Sequence, residues 1–144
     1  MALKVELRPG ERMILGECVI TNTDQRARLR IEGALPILRE KDIMKAEQAN
    51  TPARRIYLAV QLMYTARDQR THHEIYFKLM GELIAAVPST WRYIEAINNH
   101  ILTGNMYKAL KEASKLIEYE RELLVNAERG ASLRQGGEGD RKSA

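Results

Sequence analysis

The fold class of this chain is decided by the stretch Thr51-Pro52-Ala53-Arg54-Arg55-Ile56-Tyr57-Leu58-Ala59-Val60-Gln61-Leu62-Met63. Threonine is a preferred N-cap and proline is favoured at the first helical position, so Thr51 and Pro52 predict a helix start. The apolar residues that follow recur every three or four positions, which is the period of an amphipathic helix. This pattern predicts a helix that runs to about Ala66.

Residues 1–48 follow a period of two instead, which predicts short strands. The clearest alternation is Arg26-Ala27-Arg28-Leu29-Arg30-Ile31-Glu32. Another strand is predicted over residues 13–20, with Gly16 as a bulge. Pro36 marks a short edge strand because proline cannot donate to the ladder. Four or five such strands, joined by tight turns, predict a small antiparallel curled sheet or barrel.

Three more helices are predicted beyond residue 66. A capping box from Thr71 to Glu74 begins the first, and Pro88 ends it. Apolar stripes run along this helix and along two further ones, and the predicted inward residues include Ile75, Trp91 and Leu124. The chain is therefore predicted to be an α+β protein with a β-rich unit at 1–48, a four-helix region at 49–130 and a disordered tail at 131–144. The β unit is too small to be stable alone, so it should dock on the helices or pair with a second copy.

Composition excludes several classes of protein. The 144 residues are 44% hydrophobic and 29% charged, with a formal net charge of +4. No apolar run reaches the length of a membrane span, and the N-terminus does not have the pattern of a signal peptide. We therefore expect a cytoplasmic protein that makes no membrane contact. The single cysteine, Cys18, lies among apolar residues and is predicted to be a small buried thiol.

The sequence contains no phosphate-binding glycine loop, no zinc-protease motif and no cysteine or histidine cluster. This absence predicts a protein that is not an enzyme, without catalytic residues, a metal site or a cofactor.

Basic residues form three groups whose spacing suits nucleic acid. Arg26, Arg28 and Arg30 project from one strand face about 7 Å apart, close to the phosphate repeat of a nucleic acid. The alternative is a solvated face that discourages edge aggregation. Arg39 and Lys41 lie where the strands give way to helices, and they fit either local ion pairs or contacts with RNA.

The third group is Arg54 and Arg55, in the first turn of a helix whose dipole disfavours cations there. Two explanations stay open. One is a carboxylate elsewhere in the fold, and the other is a bound phosphate that the amides and arginines attract together.

Two blocks of sequence closely resemble the flagellum-biosynthesis repressor FlbT family. They are residues 37–44 and 49–64, and residues 3–11 and 19–22 are also similar to that family. The resemblance covers about residues 1–130. It implies a post-transcriptional regulator that associates with the 5′ untranslated leader of flagellin mRNA and promotes its degradation.

The β unit also resembles the RNA-binding regulator family CsrA. Similar elements are Arg8-Pro9-Gly10-Glu11, Met13-Ile14-Leu15-Gly16, Leu29-Arg30-Ile31 and Arg39-Glu40. This second resemblance implies an intertwined homodimer, and it places Arg8 and Arg39 on an RNA-binding edge.

These observations together predict a repressor that binds a flagellin mRNA leader and either promotes mRNA decay or blocks translation. The predicted RNA-binding residues are Arg8, Arg26, Arg28, Arg30, Arg39, Lys41, Arg54 and Arg55. The alternative is a protein-binding adaptor or chaperone that holds flagellin or another flagellar factor between its helices.

Overall fold

The computed structural model describes residues 2–130 in full, except for the side chain of residue 69. The predicted disordered tail, residues 131–144, lies beyond the residues whose side chains the structure describes. Five strands are followed by four helices, so the predicted α+β class and element order are confirmed. The elements are β1 (Ala2–Leu7), β2 (Arg12–Leu15), β3 (Cys18–Thr21), β4 (Ala27–Glu32), β5 (Ile37–Arg39), α1 (Pro52–Thr65), α2 (His73–Ala86), α3 (Trp91–Leu102) and α4 (Met106–Ser143).

The strands form two small antiparallel sheets. One consists of β1 and β4, and the other has the order β3-β2-β5. In the first sheet Glu6 pairs with Arg28 and Lys4 pairs with Arg30. In the second, Met13 pairs with both Ile20 and Arg39, so β5 is an edge strand, as Pro36 predicts.

The expected single strand over residues 13–20 is wrong, because Gly16 makes a turn and not a bulge. Leu15 and Cys18 are paired on the two sides of a two-residue connection. Gly16 has a φ of +61°, which suits the first central position of a tight hairpin turn. The predicted burial of Cys18 is also wrong. The hairpin carries this thiol to the start of an edge strand, where it is exposed.

The three-stranded sheet lies between two apolar cores because strand side chains alternate between its faces. Met13 points to a small β core that it shares with Val5 and Leu7. Leu38 and Ile14 point the other way and pack into the helical core. The β unit therefore docks on the helices of its own chain.

Polar contacts also hold the β unit against α1. The Tyr64 hydroxyl donates to the carbonyl of Ile37 at 3.3 Å. The Gln61 side chain accepts from the amide of Met44 at 2.7 Å and donates to its carbonyl at 3.1 Å. Gln61 is buried, and both ends of its amide are satisfied by this one backbone position.

The helical core is built from the stripes that the sequence predicts, with exceptions at three positions. Its fully buried members are Ala53, Ile56, Val60, Met63, Ile94, Ile97, Ala109, Ala113 and Leu116. The predicted inward orientation of Trp91, Ile75 and Leu124 is wrong, since each is more than half exposed. Their positions fit the helical period, but the described part of the chain leaves more than half of each side chain uncovered.

The start of α1 is as predicted, and that of α2 is not. Thr51 accepts from the amide of Arg54 at 3.2 Å, and Pro52 is the first helical residue. The expected capping box at Thr71 is absent, because a 3₁₀ turn over residues 69–72 precedes α2. Thr71 Oγ1 donates to the carbonyl of Asp68 within that turn. Along the described residues, none of the helices combines the length and apolar content that crossing a bilayer requires.

Candidate nucleic-acid interface

The segment that joins β5 to α1 carries Arg39 and Lys41, and Asp42 anchors it. The Asp42 carbonyl accepts from the Tyr57 hydroxyl at 2.5 Å. Its carboxylate accepts from Lys111 Nζ at 3.0 Å and from the Tyr107 hydroxyl at 3.4 Å. The hydrogen bond to Asp42 raises the pKa of Lys111 above its ordinary value. The connection is thus tied to both α1 and α4, while Arg39 and Lys41 remain exposed.

Lys41 and Arg54 line one cavity, although they are distant in sequence. This cavity of about 320 Å³ also has Asp42, Tyr57 and Ser114 in its wall. Arg54 reaches it from the first turn of α1, where Nη1 donates to the Asn50 side chain at 3.2 Å. The Asp42 carboxylate is already paired with Lys111, so the charges of Lys41 and Arg54 suit a phosphate or another anionic group in this cavity.

The N-terminus of α1 is occupied by a carboxylate of the chain itself. Glu120 of α4 accepts from the amide of Ala53 at 2.9 Å. Two explanations were open for Arg54 and Arg55 in this turn: a carboxylate of the chain, or a bound phosphate. The structure shows the carboxylate, and its negative charge offsets the positive end of the helix dipole beside the two arginines. Arg55 itself is exposed on the outer side of the helix.

The arginines of the β unit differ from this group because most have acidic partners. Arg26 precedes β4, and its Nη1 lies 2.9 Å from Glu6 Oε1. Arg30 Nε lies 3.0 Å from Glu32 Oε1. The loop residue Arg8 makes a longer pair with Glu11, at 3.8 Å.

Arg28 and Arg30 both face solvent, as the alternation predicts. With Lys4 of β1 they line a shallow cavity of about 490 Å³ on the outside of the two-stranded sheet. Lys4 was not a predicted site residue. Only the strand register, which pairs it with Arg30, places it there.

The eight predicted residues therefore form more than one surface. Lys41 and Arg54 line one cavity, and Arg39 stands at the end of β5, two residues before Lys41. Within the described part of the chain, none of these three has an ion pair with a carboxylate. Arg26, Arg28 and Arg30 belong to the two-stranded sheet, whereas Arg8 lies in the loop after β1.

Sequence reasoning missed the supporting residues on α4. Tyr107, Lys111 and Ser114 recur at intervals of four and three, so they share one helix face. That spacing could be read from the sequence, but the residues that this helix face contacts could not. Asp42 is separated from Lys111 by 69 positions and meets it only in the folded chain.

A larger groove of about 680 Å³ lies on the other side of the connection. Its apolar wall is formed by Ile14, Val19, Ile43 and Met44. Charged residues of both signs surround it, namely Arg12, Glu40, Lys45 and Glu47. Among the described residues, no group of three histidine, cysteine, aspartate or glutamate side chains is placed to hold a metal ion.

The structure is thus a small α+β protein with exposed basic residues in the connection between its strands and its helices. The chain matches the family described as "Flagellar protein FlbT" over residues 3–124. It belongs to this family, as the sequence blocks predict.

Relatives across several genera support this membership. A probable flagellum biosynthesis repressor protein FlbT 1 of Bradyrhizobium diazoefficiens is 62% identical over 124 residues, covering 85% of each chain. A probable FlbT of Rhodopseudomonas palustris is 55% identical, covering 86% of this chain and 98% of its own. The flagellum biosynthesis repressor protein FlbT of Caulobacter vibrioides is 38% identical, covering 92% and 96%.

Membership in this family supports a role as a regulator of flagellar gene expression. No solved structure was found to match the chain.

Proposed function

We propose that this protein is a cytoplasmic repressor that binds the 5′ untranslated leader of flagellin mRNA and promotes its degradation or blocks its translation. Its relatives are named as repressors of flagellum biosynthesis. The observation that carries the RNA-binding step is the placement of Lys41 and Arg54 on one cavity, two residues after Arg39 in the chain. None of these three cations has a carboxylate partner in the described chain. Cations without a carboxylate partner exchange counterions for phosphates at little cost.

Each cation has a distinct part in the proposed contact. Arg39 extends from the edge strand β5, where its planar guanidinium is free to meet a base edge or a phosphate. Lys41 and Arg54 lie on one cavity, which suits a single phosphate held from two sides. Asp42 keeps the connection in place through Lys111 and Tyr57.

The other predicted residues extend this contact along the RNA. Arg28 and Arg55 are exposed and are available to further phosphates. Arg8, Arg26 and Arg30 first exchange an acidic partner for the RNA, which costs little because exposed ion pairs are weak. A protein bound along the leader blocks the ribosome, and an untranslated message is open to nucleases.

The test is a gel-shift titration of the purified protein with the flagellin leader, with scrambled RNA as competitor, at several salt concentrations. We expect selective binding that weakens steeply with salt. The triple variant Arg39→Ala/Lys41→Ala/Arg54→Ala should reduce the slope of log K against log salt by about 1.4. Lys41 and Arg54 hold one phosphate together and Arg39 meets a second, and each phosphate contact on a single strand contributes about 0.7.

The matched control is Lys78→Ala, which removes one exposed charge from α2. Its salt slope should equal that of the unmodified protein. Equal affinity for leader and scrambled RNA, or an unchanged slope in the triple variant, would contradict the proposed site.

A second candidate function is that of an adaptor that holds flagellin or another flagellar factor. The observation that favours it is the apolar wall of Ile14, Val19, Ile43 and Met44 beside the free edge of β3. An extended segment can add to such an edge through main-chain hydrogen bonds. Apolar binding of this kind should change little with salt, so the same titration series separates it from RNA binding.

A further inference from the structure

The cavity that Lys41 and Arg54 share is lined by more than cations. It measures about 320 Å³, which is at the lower end of the volumes of small-molecule sites. Its wall also contains three apolar side chains and two uncharged polar ones, namely Ile43, Met44, Ile117, Gln48 and Ser114. One phosphate group is much smaller than this cavity and needs no apolar wall. The cavity therefore has room and surface for more of a ligand than its phosphate.

The wall of this cavity is held in place by contacts within the chain. It combines side chains of the connection between β5 and α1, of α1 itself and of α4. Gln61 binds both the amide and the carbonyl of Met44, at 2.7 Å and 3.1 Å. The Tyr57 hydroxyl donates to the carbonyl of Asp42. Because these contacts already order the wall, little conformational entropy is lost when a ligand enters.

The apolar part of the wall suits the flat face of a nucleobase. Ile43, Met44 and Ile117 pack against the helical core and are only partly buried, so some of their surface still contacts water. Covering such surface is favourable when the ligand has apolar faces of its own. A base has two such faces, whereas a phosphate has none.

Gln48 and Ser114 supply groups that can meet the edge of a base. Gln48 Oε1 accepts from the amide of Lys45 at 2.8 Å, which leaves the Nε2 amine as a donor. The Ser114 hydroxyl can donate and accept. Both side chains are exposed and therefore accessible to a ligand. Proteins read single-stranded RNA mainly through unstacked bases, whose edges they meet with hydrogen bonds.

The charge of the wall selects an anionic ligand. Asp42 is the acidic residue of the wall, and its carboxylate lies 3.0 Å from Lys111 Nζ. The charges of Lys41 and Arg54 have no carboxylate partner in the described chain. A nucleotide joins a phosphate and a base through one ribose. It thus matches the cations, the apolar side chains and the polar groups of this wall together.

We propose that this cavity binds one unstacked nucleotide of the RNA: Lys41 and Arg54 hold its phosphate, and the apolar side chains cover its base. The assignment rests on the proposed function, because the nucleotide belongs to the bound leader. Gln48 and Ser114 are then residues that discriminate among bases. Phosphate contacts elsewhere on the protein position the RNA, and this base contact contributes sequence selectivity.

A set of leader RNAs, each with one abasic nucleotide, tests this proposal in gel shifts with the full-length protein. An abasic nucleotide keeps its phosphate and lacks its base, so it separates the two parts of the contact. We expect a position at which the abasic leader binds about tenfold more weakly than the intact leader, since the loss of one base contact has an effect of about this size.

Two variants connect this position to the cavity. Ser114→Leu narrows the cavity from α4 and removes a hydroxyl, and Gln48→Ala removes the amide donor. Both positions are exposed, so circular dichroism should be unchanged. In each variant the tenfold ratio between abasic and intact leader should fall towards one, because the intact leader binds more weakly. The slope of log K against log salt should stay that of the unmodified protein, since Lys41 and Arg54 are retained.

The matched control is Asn126→Leu. It places the same side chain at an exposed, uncharged position of the same helix, away from the residues that line the cavity. Its affinity for the intact leader and its ratio between abasic and intact leader should equal those of the unmodified protein.

The outcomes separate this site from the proposed function. If the unmodified protein does not bind the leader selectively, the proposed function is refuted and the nucleotide site with it. Selective binding without any abasic-sensitive position would refute the nucleotide site alone. The same conclusion would follow if Ser114→Leu and Gln48→Ala both left the tenfold ratio unchanged. A salt slope that falls in Ser114→Leu, with the ratio intact, would mean that the cavity holds a phosphate only.

Discussion

Lys111 and Asp42 form the contact that fastens the β unit to the last helix. Lys111 Nζ lies 3.0 Å from Asp42 Oδ1, and the carboxylate is largely shielded, with 12% of the side chain exposed. The Lys111 amine also lies 5.0 Å from the ring centroid of Tyr107. Lys41 precedes Asp42 in the chain, so the ion pair also holds the backbone next to Lys41 in place. It therefore links the stability of the fold to the geometry of the proposed RNA site.

Removing this ion pair should lower stability by more than removing a comparable surface pair. We expect Lys111→Met to reduce the free energy of unfolding by about 1 kcal/mol, because it leaves a shielded carboxylate without its charged partner. Lys115→Met is the matched control, since Lys115 makes a pair with Glu112 on the same helix and is itself 66% exposed. Its effect should be below about 0.5 kcal/mol. Urea unfolding measures both, and equal losses would show that the contact with Asp42 has no special weight.

Stability should be level near neutral pH and fall in strongly alkaline solution. Burial raises the pKa of Tyr57 and of Tyr76 above the ordinary 10.0, and the bond to Asp42 raises the pKa of Lys111 above 10.5. A group whose pKa is higher in the folded state stabilises the fold fully below its unfolded pKa, and this contribution is lost as the pH rises through the folded pKa.

The urea midpoint measured at increasing pH checks this expectation. It should begin to fall above about pH 10, where the unfolded tyrosines ionise. The variant Tyr76→Phe loses the hydrogen bond to Asn98 and should be less stable at neutral pH, with a shallower alkaline decline. A midpoint that rises with pH in this range would contradict the assignment.

Two glycines should respond in opposite ways to the same substitution. Gly16 has a positive φ in the hairpin turn, so Gly16→Ala should cost about 1 kcal/mol or more through backbone strain. Gly81 lies inside α2, and a methyl group there would meet nothing within 4 Å. Gly81→Ala should therefore stabilise the protein by about 0.5–1 kcal/mol. Thermal unfolding of both variants tests the pair, and a stabilising Gly16→Ala would be inconsistent with the turn.

Cys18 should react with thiol reagents in the folded protein. Its side chain is exposed at the start of β3, so a thiol reagent can reach it without unfolding of the protein. Labelling with a chromogenic disulfide should go to completion at the same rate in buffer and in denaturant, within a factor of a few. Protection in buffer would mean that the hairpin is covered in solution.

Much of the fold could be predicted because it depends on neighbours in sequence. The alternation of Arg28 and Leu29 and the Thr51-Pro52 helix start are local signals, and both are confirmed. The errors occurred where a local pattern fits two structures. Gly16 fits a bulge as well as a turn, and Trp91 fits an apolar stripe although it is more than half exposed.

The candidate site was predictable as a set of residue types but not as an arrangement. The sequence identifies Arg39, Lys41 and Arg54 as candidate RNA-binding residues. Only the packing of the folded chain places Lys41 and Arg54 on one cavity. The contact of Glu120 with the amide of Ala53 could not be predicted either, because the two residues are 67 positions apart in the sequence.

What the sequence by itself determined is the order and type of the elements and the family, since hydrophobic period, caps and motif blocks are properties of short stretches. The tertiary structure alone decided which charges are paired and which are free. Arg26 meets Glu6 and Lys111 meets Asp42 because strand register and helix packing bring together groups that are far apart in the chain. Electrostatic interaction falls steeply with separation, so the partner of each cation depends on distances that exist only once the chain has folded.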